Sequence, residues 1–268
     1  MNGPRIAICS QKGGVGKTTL ALNLGLALSQ LGHATTIVEL DPQESLAASL
    51  LRPNRSMAGL HEVVRGGTTL EDALVHTKVS GLSLLPVGDV DPLEAPDFHT
   101  LLSNPEVLGP VLDGLDAEIV LLDCPSGITG ATLGALGTST HALIPVQAEP
   151  LSLRSVHLVL EAMARVREHQ NPGLSLLGLV LMMFDRDAEA SLEVVRSAWR
   201  DLDPDVLFET IVPRNPVYLE ASLHGVPVGF MAAGIHPEGR RFQMLAGEIL
   251  DRLAVKEETH AGPVQTLL

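Results

Sequence analysis

A short segment near the start of the chain combines the residue types that bind phosphate. Residues 11–19 read Q-K-G-G-V-G-K-T-T. The glycines allow the backbone to curl so that successive N–H groups point at one anion. Lys17 can reach the β- and γ-phosphates of a nucleotide, and the Thr18 hydroxyl can ligate Mg²⁺. The predicted phosphate-binding residues are Lys12, Gly13, Gly14, Val15, Gly16, Lys17, Thr18 and Thr19.

The flanking sequence predicts the elements that position this loop. Residues 6–9 form a short apolar run typical of a buried strand, and residues 20–28 have the apolar density of a core-facing helix. A strand, a glycine loop and a helix in this order are the setting that a phosphate-binding loop needs. The N-terminus of the helix adds the positive end of its dipole beside the bound phosphates.

Two acids are predicted to face the same phosphates. Asp41 ends a predicted strand at residues 34–41, and Asp123 ends another at residues 119–123. In an open α/β sheet, ligands bind at the carboxyl ends of the strands. Asp123 is therefore predicted to hold Mg²⁺ through water, as a Walker B acid does.

The composition favours a parallel sheet covered by helices. Of the 268 residues, 45% are hydrophobic but only 3% are aromatic, so the core is aliphatic. We predict one α/β domain over residues 1–254, with a doubly wound, mostly parallel sheet and helices on both faces, and a flexible tail over 255–268. The other predicted strands are 82–87, 141–146, 174–184 and 206–212. The other predicted helices are 44–51, 59–65, 70–76, 98–112 with breaks near Pro105 and Pro110, 151–169, 188–202, 216–224 and 237–254.

The loop departs from the strict pattern G-x-x-x-x-G-K-[ST], because Gln11 replaces its first glycine. The form K-G-G-V-G-K-T-T resembles the deviant Walker A loop of the ParA/MinD family of P-loop ATPases. Further segments resemble family motifs between about residue 5 and about residue 251, and they favour the ParA/Soj branch. These are V-E-L-D-P-Q at 38–43, L-L-D-C-P at 121–125, P-V-Q-A-E at 145–149, L-M-M-F-D at 181–185, I-V-P-R-N at 211–215 and E-A-S-L-H-G-V-P-V at 220–228.

The resemblance implies roles for individual residues. Lys12 would cross the interface of a nucleotide-sandwiched homodimer and contact the partner's ATP, and Asp41 would orient the attacking water. Pro213 and Asn215 would contact the adenine base. Glu39 replaces the first aspartate of the family's V-D-x-D-P-Q segment, so metal geometry or turnover would differ from the family pattern.

The resemblance also implies an ATP-driven switch that positions DNA or other large cargo. An activating partner of the ParB kind would stimulate hydrolysis, and the ATP dimer would bind DNA non-specifically. The candidate DNA contacts on late helices are Arg196, Arg200, Arg240 and Arg241. Against DNA binding, the net charge is −14, and Val217 stands where chromosomal relatives carry an arginine. An orphan relative that acts on a protein scaffold is the alternative.

Two other classes fit the sequence less well. A membrane-surface switch like MinD needs a basic amphipathic C-terminal helix, whereas the tail is acidic and broken by Gly262 and Pro263. An iron–sulfur reductase needs cysteines in loops, whereas Cys9 and Cys124 lie in strand-like runs, and no site for a small organic substrate of a ligase is recognisable. With no signal peptide or apolar span, we expect a cytoplasmic protein, nucleoid-associated if it binds DNA.

Overall fold

The computed structural model describes residues 3–42, 58–149, 152–203, 205–232 and 236–260. Within them lies a seven-stranded sheet with the order β3-β4-β2-β5-β1-β6-β7. Neighbouring strands are parallel except β3, which pairs with β4 in the antiparallel sense. The strands are β1 (Arg5–Ser10), β2 (Thr35–Glu39), β3 (Val75–His76), β4 (Leu82–Leu85), β5 (Ile119–Ser126), β6 (His141–Gln147) and β7 (Ser175–Met182).

Ten α-helices in the described residues connect and cover these strands. They are α1 (Lys17–Gln30), α2 (Leu60–Val64), α3 (Leu70–Ala73), α4 (Ala95–Leu102), α5 (Pro105–Asp113), α6 (Gly130–Thr138), α7 (Ser152–His169), α8 (Glu189–Asp201), α9 (Pro216–Leu223) and α10 (Pro237–His260). A short 3₁₀ helix at Val228–Phe230 lies between α9 and α10.

The sheet has a hydrophobic core on each face, as the doubly wound prediction requires. In β1, Ala7 and Cys9 belong to one core, whereas Ile6 and Ile8 belong to the other, because successive strand residues point to opposite faces. Helices α2 to α8 contribute to the first core, and α1, α9 and α10 contribute to the second. The predicted α/β fold is confirmed.

Several local predictions were wrong. The helix predicted over 70–76 ends at Ala73, and Val75–His76 forms an edge strand instead. Pro105 begins a new helix as expected, but Pro110 lies inside α5 rather than breaking it. The strand predicted over 206–212 is reduced to isolated bridges at Leu207 and Pro213.

Other differences concern a helix that was not predicted and the end of the last helix. The sequence pattern predicts neither a helix nor a strand at residues 130–138, yet they form α6, which Thr129 caps by accepting a hydrogen bond from the Thr132 amide. The last helix continues past the predicted domain end at residue 254 to His260. The predicted helix at 44–51 and the end of the predicted tail, 261–268, lie outside the described residues.

Candidate functional site

The phosphate loop connects β1 to α1 at the carboxyl edge of the sheet. Gly14 and Gly16 have φ angles of 68° and 94°, which favour glycine over any residue with a side chain. Gly16 is also the N-cap of α1, and no side chain in the described part of the chain caps this helix. The amides of the first helical turn are therefore open to an anion.

Lys17 lies in the interior beneath this loop. Lys17 is only 5% exposed, and its Nζ atom donates a hydrogen bond to Ser126 Oγ at 2.8 Å. Sequence reasoning gave Ser126 no role. It is the last residue of β5, the strand that also carries Asp123, so a hydroxyl at the carboxyl edge of a central strand was the signal that could have revealed it.

Asp123 is almost completely buried at this edge, with 1% of its surface exposed. The Thr18 side chain forms a hydrogen bond with its carboxyl group. Atom Oδ1 is buried and has no hydrogen-bond partner in the ranges that the structure describes. Burial, with smaller contributions from Glu39 and Asp41, raises the pKa of Asp123 to about 7. An unsatisfied carboxylate oxygen beside a threonine hydroxyl fits the oxygen ligands and water shell of Mg²⁺.

Asp41 and Glu39 reach the same edge from β2. Glu39 and Asp123 are paired in the register of β2 and β5, and the Leu40 amide donates to the Asp123 carbonyl at 3.0 Å. The substituted acid Glu39 is buried, and its Oε2 accepts a hydrogen bond from the Val87 amide at 3.2 Å. This contact places the longer Glu39 side chain against the loop that follows β4.

His99 is a neighbour of Asp41 that sequence reasoning missed. Burial lowers the pKa of His99, although the Asp41 carboxylate acts in the opposite direction. Its Nε2 atom is buried without a hydrogen-bond partner in the described part of the chain. Burial therefore favours the uncharged form of an imidazole that lies within the electrostatic field of Asp41.

Lys12, at the other end of the loop, lies among side chains of its own subunit. Its Nζ donates to Gln147 Oε1 at 2.6 Å and to Glu149 Oε2 at 2.7 Å. Its backbone carbonyl accepts a hydrogen bond from Ser10 Oγ at 2.9 Å. The Lys12 side chain is 43% exposed, in contrast to the buried Lys17.

The segment predicted to contact adenine lies beside the end of β7. The Arg214 amide donates to the Phe184 carbonyl at 2.8 Å, and Asn215 Oδ1 caps α9 by accepting from the Val217 amide at 3.0 Å. A cavity of about 380 Å³ adjoins Pro213. Its lining residues include Phe184, Arg186, Ile211, Pro213, Arg241 and Met244. Pro213 therefore borders a space large enough for a planar base, whereas Asn215 has its oxygen engaged.

The four candidate DNA-binding arginines are not brought together. Helix α8 contributes Ala198 to the core on one face, and α10 contributes Phe242 and Leu245 to the core on the other. Arg200 Nε donates to Asp201 Oδ1 at 2.9 Å.

The individual settings of the other three arginines also differ. Arg196 lies 4.0 Å from Glu193. Arg241 donates to Glu238 Oε2 at 2.9 Å and to the Ile211 carbonyl at 3.1 Å. Arg240 is exposed.

Two further observations concern the alternative classes. Cys9 and Cys124 are free thiols buried in β1 and β5. In the portion of the chain that the structure describes, none of the helices has the length and apolar character needed to cross a membrane.

Comparison with known proteins places the chain in a family. A family profile described as an AAA domain matches residues 3–176. The chromosome-partitioning ATPase Soj of Thermus thermophilus is 33% identical over 253 residues, which cover 93% of this chain and 96% of Soj. The chain belongs to the ParA/MinD family of P-loop ATPases. It is therefore a nucleotide-hydrolysing enzyme.

Solved structures agree with this assignment. The septum site-determining protein MinD of Pyrococcus horikoshii, complexed with Mg-ADP, is 29% identical with a TM-score of 0.72 over 95% of this chain and 98% of MinD. Cobyrinic acid a,c-diamide synthase of Mycobacterium smegmatis, with bound ADP and magnesium, is 25% identical with a TM-score of 0.75 over 100% of both chains. Both of these structures contain ADP and magnesium, and the prediction that this chain binds ATP and Mg²⁺ is confirmed.

Proposed function

We propose that this chain is an ATP-dependent dimerising switch that positions DNA or another large cargo. The observation that carries the proposal is the pair of lysines in one phosphate loop. Lys17 is buried against Ser126, where it serves the subunit's own phosphates. Lys12 lies at the surface of the same edge, where its ammonium is accessible to a second subunit.

In this proposal, different residues at the carboxyl edge of the sheet have different roles in ATP hydrolysis. Lys17 would bind the β- and γ-phosphates as a fixed point charge. Thr18 would ligate Mg²⁺ and Asp123 would hold it through water, and the metal would supply positive charge beside the phosphates. Asp41 positions the attacking water. Phosphoryl transfer depends on such positioning and on electrostatic stabilisation more than on a strong base, so no catalytic histidine is needed.

Dimerisation in this proposal depends on Lys12. An exposed lysine that binds the partner's ATP makes nucleotide binding and dimer formation a single event, and hydrolysis returns the dimer to monomers. Soj is described as a chromosome-partitioning ATPase. We extend this description to the present chain as a cargo-positioning role with an activating partner of the ParB kind.

DNA is the cargo that the Soj relationship favours, but this chain has lost one expected contact. Val217 stands at the position where an arginine is expected, and it is only 9% exposed, with its side chain in the core shared by α1 and α10. Of the four predicted arginines, Arg240 is the exposed one without an acidic neighbour among the described contacts. A protein scaffold is therefore the alternative cargo.

The deciding experiment is DNA binding by an Asp41→Ala protein that holds ATP without turning it over. Fluorescence anisotropy with a random-sequence duplex, ATP and Mg²⁺ is measured across a salt series, with Lys17→Ala as the ATP-free control. Binding that needs ATP and falls steeply with salt supports the DNA-positioning function. An ATP dimer that fails to bind DNA even at low salt would contradict it and support a protein scaffold.

A further inference from the structure

We infer that Glu149 is a positioning residue that holds the Lys12 ammonium against its own subunit before ATP-dependent dimerisation. This inference rests on the proposed function, in which Lys12 contacts the partner's ATP in the dimer. To reach that ATP, the Lys12 ammonium must first leave the Glu149 carboxylate. Glu149 therefore affects the nucleotide concentration at which the subunits associate.

The Lys12 ammonium is held by a closed set of polar contacts. It donates to Glu149 Oε2 at 2.7 Å and to Gln147 Oε1 at 2.6 Å. Gln147 Nε2 donates in turn to the second carboxylate oxygen, Glu149 Oε1, at 2.7 Å. Gln147 is the last residue of β6 and is 8% exposed, so the sheet fixes one corner of this triangle. The lysine is therefore held in a defined place rather than left free in solvent.

The same carboxylate also faces the segment predicted to contact the base. The Arg214 guanidinium lies 3.7 Å from Glu149 Oε1. Arg214 is fixed through its amide to the Phe184 carbonyl and lies between Pro213 and Asn215. Glu149 thus connects the phosphate loop with the segment at residues 211–215, which was predicted to contact the base.

These contacts make the release of Lys12 feasible. When the ammonium moves to a phosphate of the partner's nucleotide, the Glu149 carboxylate keeps Gln147 and Arg214 as partners and is not left unpaired. A phosphate carries more charge than a carboxylate and forms strong charge-assisted contacts with a lysine. The Lys12 and Glu149 side chains are 43% and 44% exposed, so the contact is weak enough to be broken.

The direct test is Glu149→Gln, which keeps the shape and one hydrogen-bond acceptor but removes the charge. Because an exposed ion pair contributes little, the ATP concentration for half-maximal dimer formation should fall by about two- to fivefold. Light scattering with ATP and Mg²⁺ measures this, and Glu149→Asp should restore part of the wild-type value. Glu168→Gln, an exposed acid on α7 beside His169, is the matched control and should change nothing.

A second readout needs no nucleotide. Thermal unfolding of Lys12→Ala, Glu149→Gln and the double variant forms a double-mutant cycle, in which the two changes should be non-additive at low salt and closer to additive at high salt. Additive effects at low salt, or a Glu149→Gln protein that needs as much or more ATP to dimerise, would overturn the inference. A wild-type protein that binds ATP as a monomer would instead contradict the proposed function, and the low-salt cycle would still decide whether Glu149 holds Lys12.

Discussion

At the phosphate edge Lys17 and the acids of the predicted metal and water sites lie in the interior, whereas on α8 and α10 the charged groups lie mostly at the surface. Lys17 and Asp123 are 5% and 1% exposed, and each has a specific protein partner. Arg200 is exposed and pairs with its neighbour Asp201. The energy of a buried charge depends strongly on the groups that it contacts, whereas the attraction within an exposed ion pair is screened by water and salt. The consequences of mutation should differ accordingly between the two regions.

The largest effect is expected for Lys17→Ala. Removing the buried ammonium leaves the phosphates without their chief countercharge, so ATP affinity should fall by about 100-fold or more. Calorimetric titration with ATP measures this, and Lys78→Ala, at an exposed site, is the matched control. Equal ATP affinity in wild type and Lys17→Ala would show that residues 11–19 do not bind the phosphates.

A smaller effect is expected for Asp123→Asn. The substitution keeps the shape but removes the charge that holds the water shell of Mg²⁺. Loss of such an outer-shell carboxylate typically costs about 10- to 100-fold in metal affinity or activity. Phosphate release should therefore need more Mg²⁺ for half-maximal rate, while the stability of the nucleotide-free protein should not fall, because a buried carboxylate oxygen without a partner has been replaced. Asp116→Asn, at the surface, is the control. An unchanged Mg²⁺ dependence in Asp123→Asn would remove this residue from the metal site.

Arg241→Ala tests whether this arginine belongs to the surface region at all. Its guanidinium contacts the buried Glu238 and the Ile211 carbonyl, and Glu238 also accepts from Tyr218 Oη at 2.8 Å. Loss of these hydrogen bonds should lower the free energy of unfolding by about 1–2 kcal/mol, measured by urea denaturation. The salt dependence of DNA binding should stay as in the wild type. A change in the salt slope with unchanged stability would instead make Arg241 a DNA contact.

How much the sequence could predict also differs between the two regions. The phosphate loop, Lys17 and Asp123 follow from local order, because a strand, its loop and its helix are consecutive and parallel strands present their carboxyl ends at one edge. The contact of Lys12 with Glu149 joins residues far apart in the chain, and it depends on β6 lying next to β1. No local sequence pattern predicts that β6 lies next to β1, so the contact between Lys12 and Glu149 was not predicted.

The missed helix α6 shows a second limit of sequence reasoning. Its sequence G-A-T-L-G-A-L-G-T has no polar face, so it lacks the periodic pattern of a surface helix. A Cβ atom on Gly134 would lie 1.7 Å from the Leu102 carbonyl oxygen of α4. The glycines that made the segment resemble a loop are therefore the residues that allow two helices to pack closely.

The smallest effect is expected at the exposed arginines. If the ATP dimer binds DNA through α10, Arg240→Ala should reduce the slope of log K against log salt by about 1, because one phosphate contact is lost. Arg200→Ala should reduce it less, since Asp201 already neutralises that guanidinium. Fluorescence anisotropy of both variants in the Asp41→Ala background compares the two faces of the molecule directly. A larger slope change for Arg200→Ala would place the DNA on the α8 face, and equal changes would mean that DNA contacts both helices.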